Sequence, residues 1–324
     1  MSKKKYGVLL VNLGTPANPT TGAVRQFLKE FLSDKRVVDA PRLIWIPVLY
    51  GIILTFRPAR VAKNYQKIWL DSGSPLMVYS KSQQSKLQQL LDESDQHHFK
   101  VALGMTYGSP SIEAAASELE DWGADEVIVL PLYPQFSFTT TAPVTDQLAR
   151  LKSFAENRYR VINDYHDDTH YIQALADSIR PKMRAGAKLV MSFHGIPKRY
   201  VKQGDPYLAQ SEVTAKKLAA TLELSETEWE MAFQSRVGRE EWLTPYLDQR
   251  MAQLPTEGTK NVVLVTPGFS CDCLETLEEV AMENKEIFLE AGGESFEYVA
   301  ALNDSPAHIQ MMARLVESQI LTDQ

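Results

Sequence analysis

Two groups of residues have the types and spacing to do chemistry. His194 directly follows the apolar run Leu189-Val-Met-Ser-Phe193 and precedes Gly195, Ile196 and Pro197, a turn that would hold an imidazole at a strand mouth. An imidazole there accepts protons near neutral pH or ligates a borderline metal, and is otherwise a structural residue. The second group follows the run Asn261–Val265, where Thr266-Pro-Gly-Phe-Ser-Cys-Asp-Cys-Leu-Glu275 leads into a helical pattern. At about 100° per residue Asp272, Glu275, Glu279 and Glu283 share one face, and Leu274, Leu277, Ala281 and Phe288 give the apolar side. Such a stripe is either a solvated acidic face near a helix N-terminus or a path that binds a cation and passes protons outward. Cys271 and Cys273 are too close for a useful disulfide loop and too few for a zinc or iron–sulfur site. They read as small buried packing residues, in keeping with a reducing cytoplasm.

The elements that must position these residues form a parallel α/β pattern. Short apolar runs at Gly7–Asn12, Val101–Met105, Glu126–Leu130, Lys188–Phe193, Glu230–Phe233 and Asn261–Val265 each end near Gly or Pro and precede helix-like stretches. The pattern repeats: Leu13-Gly-Thr-Pro16 matches His194-Gly-Ile-Pro197, Tyr107-Gly108 matches Val237-Gly238, and Val129-Leu-Pro131 matches Val265-Thr-Pro267. Gly195 lies 181 residues after Gly14, whereas Gly238 lies 130 after Gly108 and Pro267 lies 136 after Pro131. Two similar open-sheet units fit these offsets, with an insertion of 51 residues between the first strand and the later ones of the first unit. Ligands of open parallel sheets sit at the carboxyl ends of strands, where His194 and the acidic stripe fall.

Composition narrows the classes. The chain has 324 residues, 44% hydrophobic and 23% charged, enough for about two domains of ordinary globular balance. A formal net charge of −7 leaves no basic field to gather phosphate backbones, so nucleic acid is not an expected partner. Gly-x-Gly-x-x-Gly, P-loop and Gly-x-Ser-x-Gly signatures are absent. Tyr6–Val11 reads as a buried strand rather than a signal sequence. The run Leu43–Phe56 contains Pro47 and Gly51, is shorter than the ~20 residues of a span, and has Arg42, Arg57, Arg60 and Lys63 beside it. It would lie on a membrane surface, wall an apolar pocket, or pack as core.

At these residues the sequence resembles the ferrochelatase family, whose members insert ferrous iron into protoporphyrin. The resemblance runs through Asn12-Leu-Gly-Thr-Pro16, Arg57-Pro58, Tyr65-Gln-Lys-Ile-Trp69, Gly73-Ser-Pro-Leu76 and Leu130-Pro-Leu-Tyr-Pro-Gln135. It continues through Ser192-Phe-His-Gly-Ile-Pro197, Gly204-Asp-Pro-Tyr207, Phe233-Gln-Ser-Arg236, Trp242-Leu-Thr-Pro-Tyr246, Pro267-Gly-Phe269 and Leu274-Glu-Thr-Leu-Glu278. It implies an α/β fold of two similar Rossmann-like domains, each with a central parallel sheet flanked by helices. The N-terminal domain is expected over 1–160 with a cleft-lip insertion at about 17–75 and a C-terminal helix, 305–324, packing on it. The C-terminal domain, 161–304, would carry the catalytic His and Glu.

By the same resemblance His194 is the proton-accepting imidazole, Glu275 its acidic partner, and Asp272 and Glu279 continue a metal or proton path. Leu13, Tyr107, Trp242 and Ser137 are implied substrate contacts. Ferrous iron is a substrate, no cofactor is tightly bound, and the cysteine-rich extension that carries an iron–sulfur cluster in some members is absent. The implied setting is cytoplasmic, with peripheral contact to the inner membrane through 43–56. Two departures stand in the first half. Thr106 replaces the family's common arginine in Met105-Thr-Tyr-Gly108, and Phe136-Ser-Phe-Thr-Thr-Thr-Ala-Pro143 lacks the family's glycine and second serine. The alternatives are a cobalt or other tetrapyrrole chelatase and a weakly active porphyrin-binding paralogue.

Overall fold

Eight strands, all in parallel register, form two four-stranded sheets flanked by helices in the computed structural model, which describes residues 3–151, 159–238 and 240–321. The first sheet orders β1 (Lys5–Asn12), β2 (His98–Met105), β3 (Glu126–Pro131) and β4 (Tyr159–Val161) as β2-β1-β3-β4. The second orders β5 (Lys188–His194), β6 (Trp229–Gln234), β7 (Asn261–Val265) and β8 (Ser295–Val299) as β6-β5-β7-β8. The two orders are the same order, second-first-third-fourth. Parallel strands covered by helices on both faces are continuously apolar, and Val8, Leu9, Leu10 and Val11 of β1 are fully buried. The 85 residues between Asn12 and His98 exceed the 34 between His194 and Trp229 by 51. That excess is the insertion read from the sequence offsets.

β4 and β8 were not among the strands read from sequence. β4 has three half-buried residues, and the Ser-Phe-Glu-Tyr-Val of β8 interleaves polar side chains because each is an outer strand of its sheet.

The chain divides into two compact units. One comprises the chain up to Tyr133, Ser137–Asp164 and Asp304 onward; the other comprises Pro134–Phe136 and Tyr165–Asn303. In the first unit Leu9, Val11, Ala102, Leu119, Val129 and Leu148 form the core. Helix Pro306–Leu321 packs on helix Pro75–Leu91, and residues 322–324 of the expected 305–324 helix lie outside the described residues. In the second unit Val190, Ala232, Val262 and Leu264 of the sheet pack with Val280 and Phe288, which fixes the acidic helix against the strands.

The insertion holds helix Thr21–Ser33, capped by the Thr20 hydroxyl, and a helix from Arg42 to Ile68. This second helix runs through Pro47, widens to an i→i+5 turn over Leu49–Ile53 and resumes to Ile68. At 27 residues it is longer than its apolar run suggested, and among the described residues it alone is long and apolar enough to cross a membrane. Leu49, Leu54, Ala62 and Tyr65 bury one face, where the helix meets Thr21–Ser33. Leu43, Ile44, Ile52 and Phe56 are exposed on the other, at 92, 66, 55 and 73%. A helix attached along one face and bare on the other is amphipathic in its own domain.

Candidate active site

His194 is the last residue of β5, so its imidazole stands at the carboxyl edge of the second sheet. Its Nδ1 lies 2.7 Å from the Gly195 carbonyl oxygen. A carbonyl only accepts, so Nδ1 carries the proton and the Nε2 lone pair is left for chemistry. Gly195 extends the ladder by donating its N–H to Gln234 O at 2.8 Å. A Cβ at this position would stand 2.9 Å from that oxygen and 3.2 Å from the Trp242 ring, which is why the turn needs glycine. Trp242 is held by a bridge to Pro197, by Leu243 N–H to Ile196 O at 3.0 Å and by Lys198 N–H to Glu241 O at 2.9 Å. Its indole N–H is buried without a hydrogen-bond partner among the described residues.

The acidic segment differs from the α-helix expected of it. Glu275–Asn284 is a π-helix, closing i→i+5, before α-helix resumes over Lys285–Glu290. Its innermost row is Thr276, Val280, Asn284 and Phe288, whereas Leu274, Leu277 and Ala281, read as the apolar side, are only half-buried. The polar Thr and Asn concealed this row in the sequence. The adjacent row, Glu275, Glu279 and Glu283, runs from half-buried to exposed.

A small polar network unites this row with strands β5 and β6. Ser192 Oγ donates to Gln234 Oε1 at 2.7 Å, and Gln234 Nε2 donates to the Glu275 carbonyl at 2.9 Å. Ser235, at φ 67°, donates its N–H to Glu279 Oε1 at 2.6 Å and its hydroxyl to Glu279 Oε2. Burial raises the Glu279 carboxyl above the usual carboxylate range. The Ser235 hydrogen bonds and the charge of His194 oppose that rise, and the Glu275 carboxylate adds to it. His194, Glu275 and Glu279 are therefore electrostatic neighbours. Among the described residues no group of three or more His, Cys, Asp or Glu side chains is disposed to hold a metal ion.

Asp272 lies apart from them. It precedes the helix instead of riding on it, is 3% exposed, and its carboxylate accepts four hydrogen bonds. The donors are Tyr298 Oη and Asn303 Nδ2, both at 2.7 Å, Thr276 Oγ1 at 3.0 Å and Ala301 N at 3.3 Å. That carboxylate ties the end of β8 to the start of the acidic helix. Burial, and then the Asp272 charge, push the Tyr298 phenol up. Cys271 and Cys273 are buried and form no disulfide, and burial pushes the Cys273 thiol up.

In the first unit Leu13 follows β1, half-buried, its N–H on Asn12 Oδ1 at 2.8 Å. Gly14, at φ +109°, has no room for a Cβ, which would sit 1.7 Å from Tyr107 O. Tyr107 itself is 4% exposed; its hydroxyl donates to Asp34 Oδ2 at 2.8 Å and its ring meets Phe31 edge-on at 5.1 Å. Burial and the Asp34 charge hold its phenol far above the ordinary value. Ser137 is 1% exposed, its Oγ 3.0 Å from Thr139 Oγ1. Of the four expected substrate contacts, Leu13 and Trp242 keep open surface while Tyr107 and Ser137 are committed internally. Thr106, at the missing arginine, is buried and bonds Asn12 O through its N–H at 2.9 Å and its hydroxyl at 3.3 Å.

Ser192, Gln234 and Ser235 stand inside motifs that carry the family resemblance, but the sequence assigns them no role of their own. A serine inside an apolar strand and a glutamine closing another were the available signals, because a buried polar side chain must find a partner.

A family model described as ferrochelatase matches residues 5–320. Ferrochelatases of Vibrio parahaemolyticus and Cronobacter sakazakii are 51% and 50% identical, each match covering 98% of this chain and 99% of the relative. Among solved structures, SirB from Bacillus subtilis with Fe3+ aligns at a TM-score of 0.57 and 12% identity, covering 97% of this chain and 94% of that one. CbiX, the terminal enzyme for siroheme biosynthesis in denitrifying bacteria, aligns at 0.52 and 13%, covering 96% and 98%. These two likenesses concern the fold. With the family model spanning nearly all of its length and relatives half identical along the whole of it, the chain belongs to the ferrochelatase family.

Proposed function

We propose that this enzyme completes haem by inserting ferrous iron into protoporphyrin IX with His194 Nε2 as the acceptor of the pyrrole protons. Metallation forms the iron–nitrogen bonds and releases two protons, so the site must take protons while the ion sheds water. The observation that carries the assignment is the Nδ1 contact to the Gly195 carbonyl, which occupies Nδ1 as a donor and makes Nε2 the ring nitrogen that can accept a proton. The imidazolium formed gains from the neighbouring Glu279 carboxyl, whose ionisation a charge on His194 favours. Glu275 and Glu279 then serve the ion and the departing protons, with exposed Glu283 one row position further out. Histidine with carboxylates suits ferrous iron. Asp272 supports this path by anchoring the helix, since four donors fill its carboxylate. The half-buried Trp242 indole, on the same unit as His194, gives apolar contact to the macrocycle.

The same reading assigns the N-terminal domain to 1–160 and the catalytic domain to 161–304, in a cytoplasmic enzyme docked on the inner membrane. The exposed Leu43, Ile44, Ile52 and Phe56, with exposed Arg60 and Lys63 beyond them, support docking by burial and by attraction to anionic lipid. Following protoporphyrin absorbance during incubation with ferrous or zinc ion tests the reading: multiple turnovers support it, and stoichiometric binding without metallation defeats it.

A further inference from the structure

β6 is an outer strand of the second sheet, and its alternate residues Trp229, Met231 and Phe233 line one side of a cavity of about 550 Å³. Val201 and Leu208, from helices Lys198–Lys202 and Tyr207–Thr221, and Leu243 complete the apolar lining. The volume lies within the range of roughly 300 to 1,000 Å³ typical of small-molecule sites. The candidate active-site residues His194, Glu275, Glu279 and Trp242 take no part in the lining.

Charge distinguishes this cavity from an ordinary packing fault. Lys198, Lys202 and Lys216 stand in its lining against one carboxylate, Glu212. Lys198 is paired with Glu241 at 2.7 Å, but Lys202 and Lys216 are exposed and form no ion pair among the described residues. Their ammonium groups sit at the margin of a hydrocarbon floor, an arrangement complementary to a ligand with an apolar body and an anionic end. The lining contains no arginine, the planar fork that favours bidentate phosphate, so single-point ammonium pairing to a carboxylate is the better match.

We infer that this cavity is a second ligand site, for an amphipathic carboxylate whose tail lies on Trp229 and Met231 and whose head meets Lys202 and Lys216. Isothermal titration of the full chain with dodecanoate, below its micelle concentration, tests it directly. Saturable binding of one equivalent is expected. It weakens by roughly tenfold or more in the Lys202→Glu, Lys216→Glu double variant, and dodecanol, lacking the charge, binds weaker by a similar factor. Leu208→Trp, which fills the floor, removes binding, and protoporphyrin metallation by both variants stays at the wild-type level. The two lysines are on the surface, so the charge-reversed variant keeps its circular dichroism. Absence of saturable binding, or equal affinity in the wild type and the charge-reversed variant, overturns the inference, the latter by placing the anion elsewhere.

Discussion

Ser235 donates both its backbone N–H, at 2.6 Å, and its hydroxyl to the carboxylate of Glu279, from a backbone held at φ 67°. A non-glycine residue rarely adopts that conformation, and here it turns two donors toward one half-buried acid. Burial raises the Glu279 carboxyl and these donors lower it, so Ser235 sets where the acid titrates. Ser235→Gly suits the backbone and removes only the hydroxyl. The acid limb of the kcat/KM profile should then move to higher pH, with turnover down roughly tenfold. An unchanged profile would remove Ser235 from the proton path.

Glu279→Gln should abolish most turnover yet stabilise the fold at neutral pH. A carboxyl raised in the folded state is held protonated there more readily than in the unfolded chain. Ionisation in the unfolded chain, from the ordinary glutamate value upward, therefore lowers stability as pH rises through the folded value. Glutamine escapes that penalty and can still accept from the Ser235 N–H and donate to its hydroxyl. The gain in Tm over wild type should be present at pH 8 and fade as pH falls below the unfolded value. A gain that grows toward acid would reverse the sign and refute the argument.

His194→Ala should lose metal insertion while protoporphyrin binding stays within about tenfold, because a missing base removes transition-state help more than ground-state contact. Glu275→Gln should fall by about a hundredfold or more, whereas Glu286→Gln, an exposed acid on the following α-helical turns, stays near wild type. Glu278 is not a neutral control, since it is 9% exposed. Equal losses at 275 and 286 would mean that the row from Glu275 to Glu283 has no special role.

Asp272→Ala should act through stability. It removes the buried acceptor of Tyr298, Asn303, Thr276 and Ala301, at a cost of about 1 to 3 kcal/mol for each donor that finds no other acceptor, while the Thr276 hydroxyl keeps Cys273 O at 3.3 Å. Thermal unfolding measures it, and an unaltered Tm with lost activity would restore Asp272 to the chemistry.

The sheet plan was readable because six strands are continuous apolar runs ending at turn residues, and His194 was readable from its place after one of them. The acidic helix was read less well. A 100° period assumes an α-helix, while a π-helix with Thr276 and Asn284 on its inner row breaks both the period and the equation of buried with apolar. Gln234 and Ser235 escaped for another reason: their role depends on a partner 45 and 44 residues away on another element, which no local pattern encodes.

The helix Arg42–Ile68 has two unlike faces. Its buried face, Leu49, Leu54 and Ala62, belongs to the domain core, and its outer face does not. Changing Ile52 and Phe56, both on that outer face, to Asp should leave circular dichroism and Tm unaltered, because neither side chain leaves a buried site. Removing the two side chains from a lipid interface and adding two negative charges opposes both apolar burial and electrostatic attraction. Co-sedimentation with anionic liposomes should fall by tenfold or more, given about 2 to 3 kcal/mol for each acid placed in hydrocarbon. Raising salt should weaken the wild type partly, as only the contribution from Arg60 and Lys63 is screened. If the double variant unfolds, this face is core packing; if it folds and still sediments like wild type, the helix does not contact the membrane.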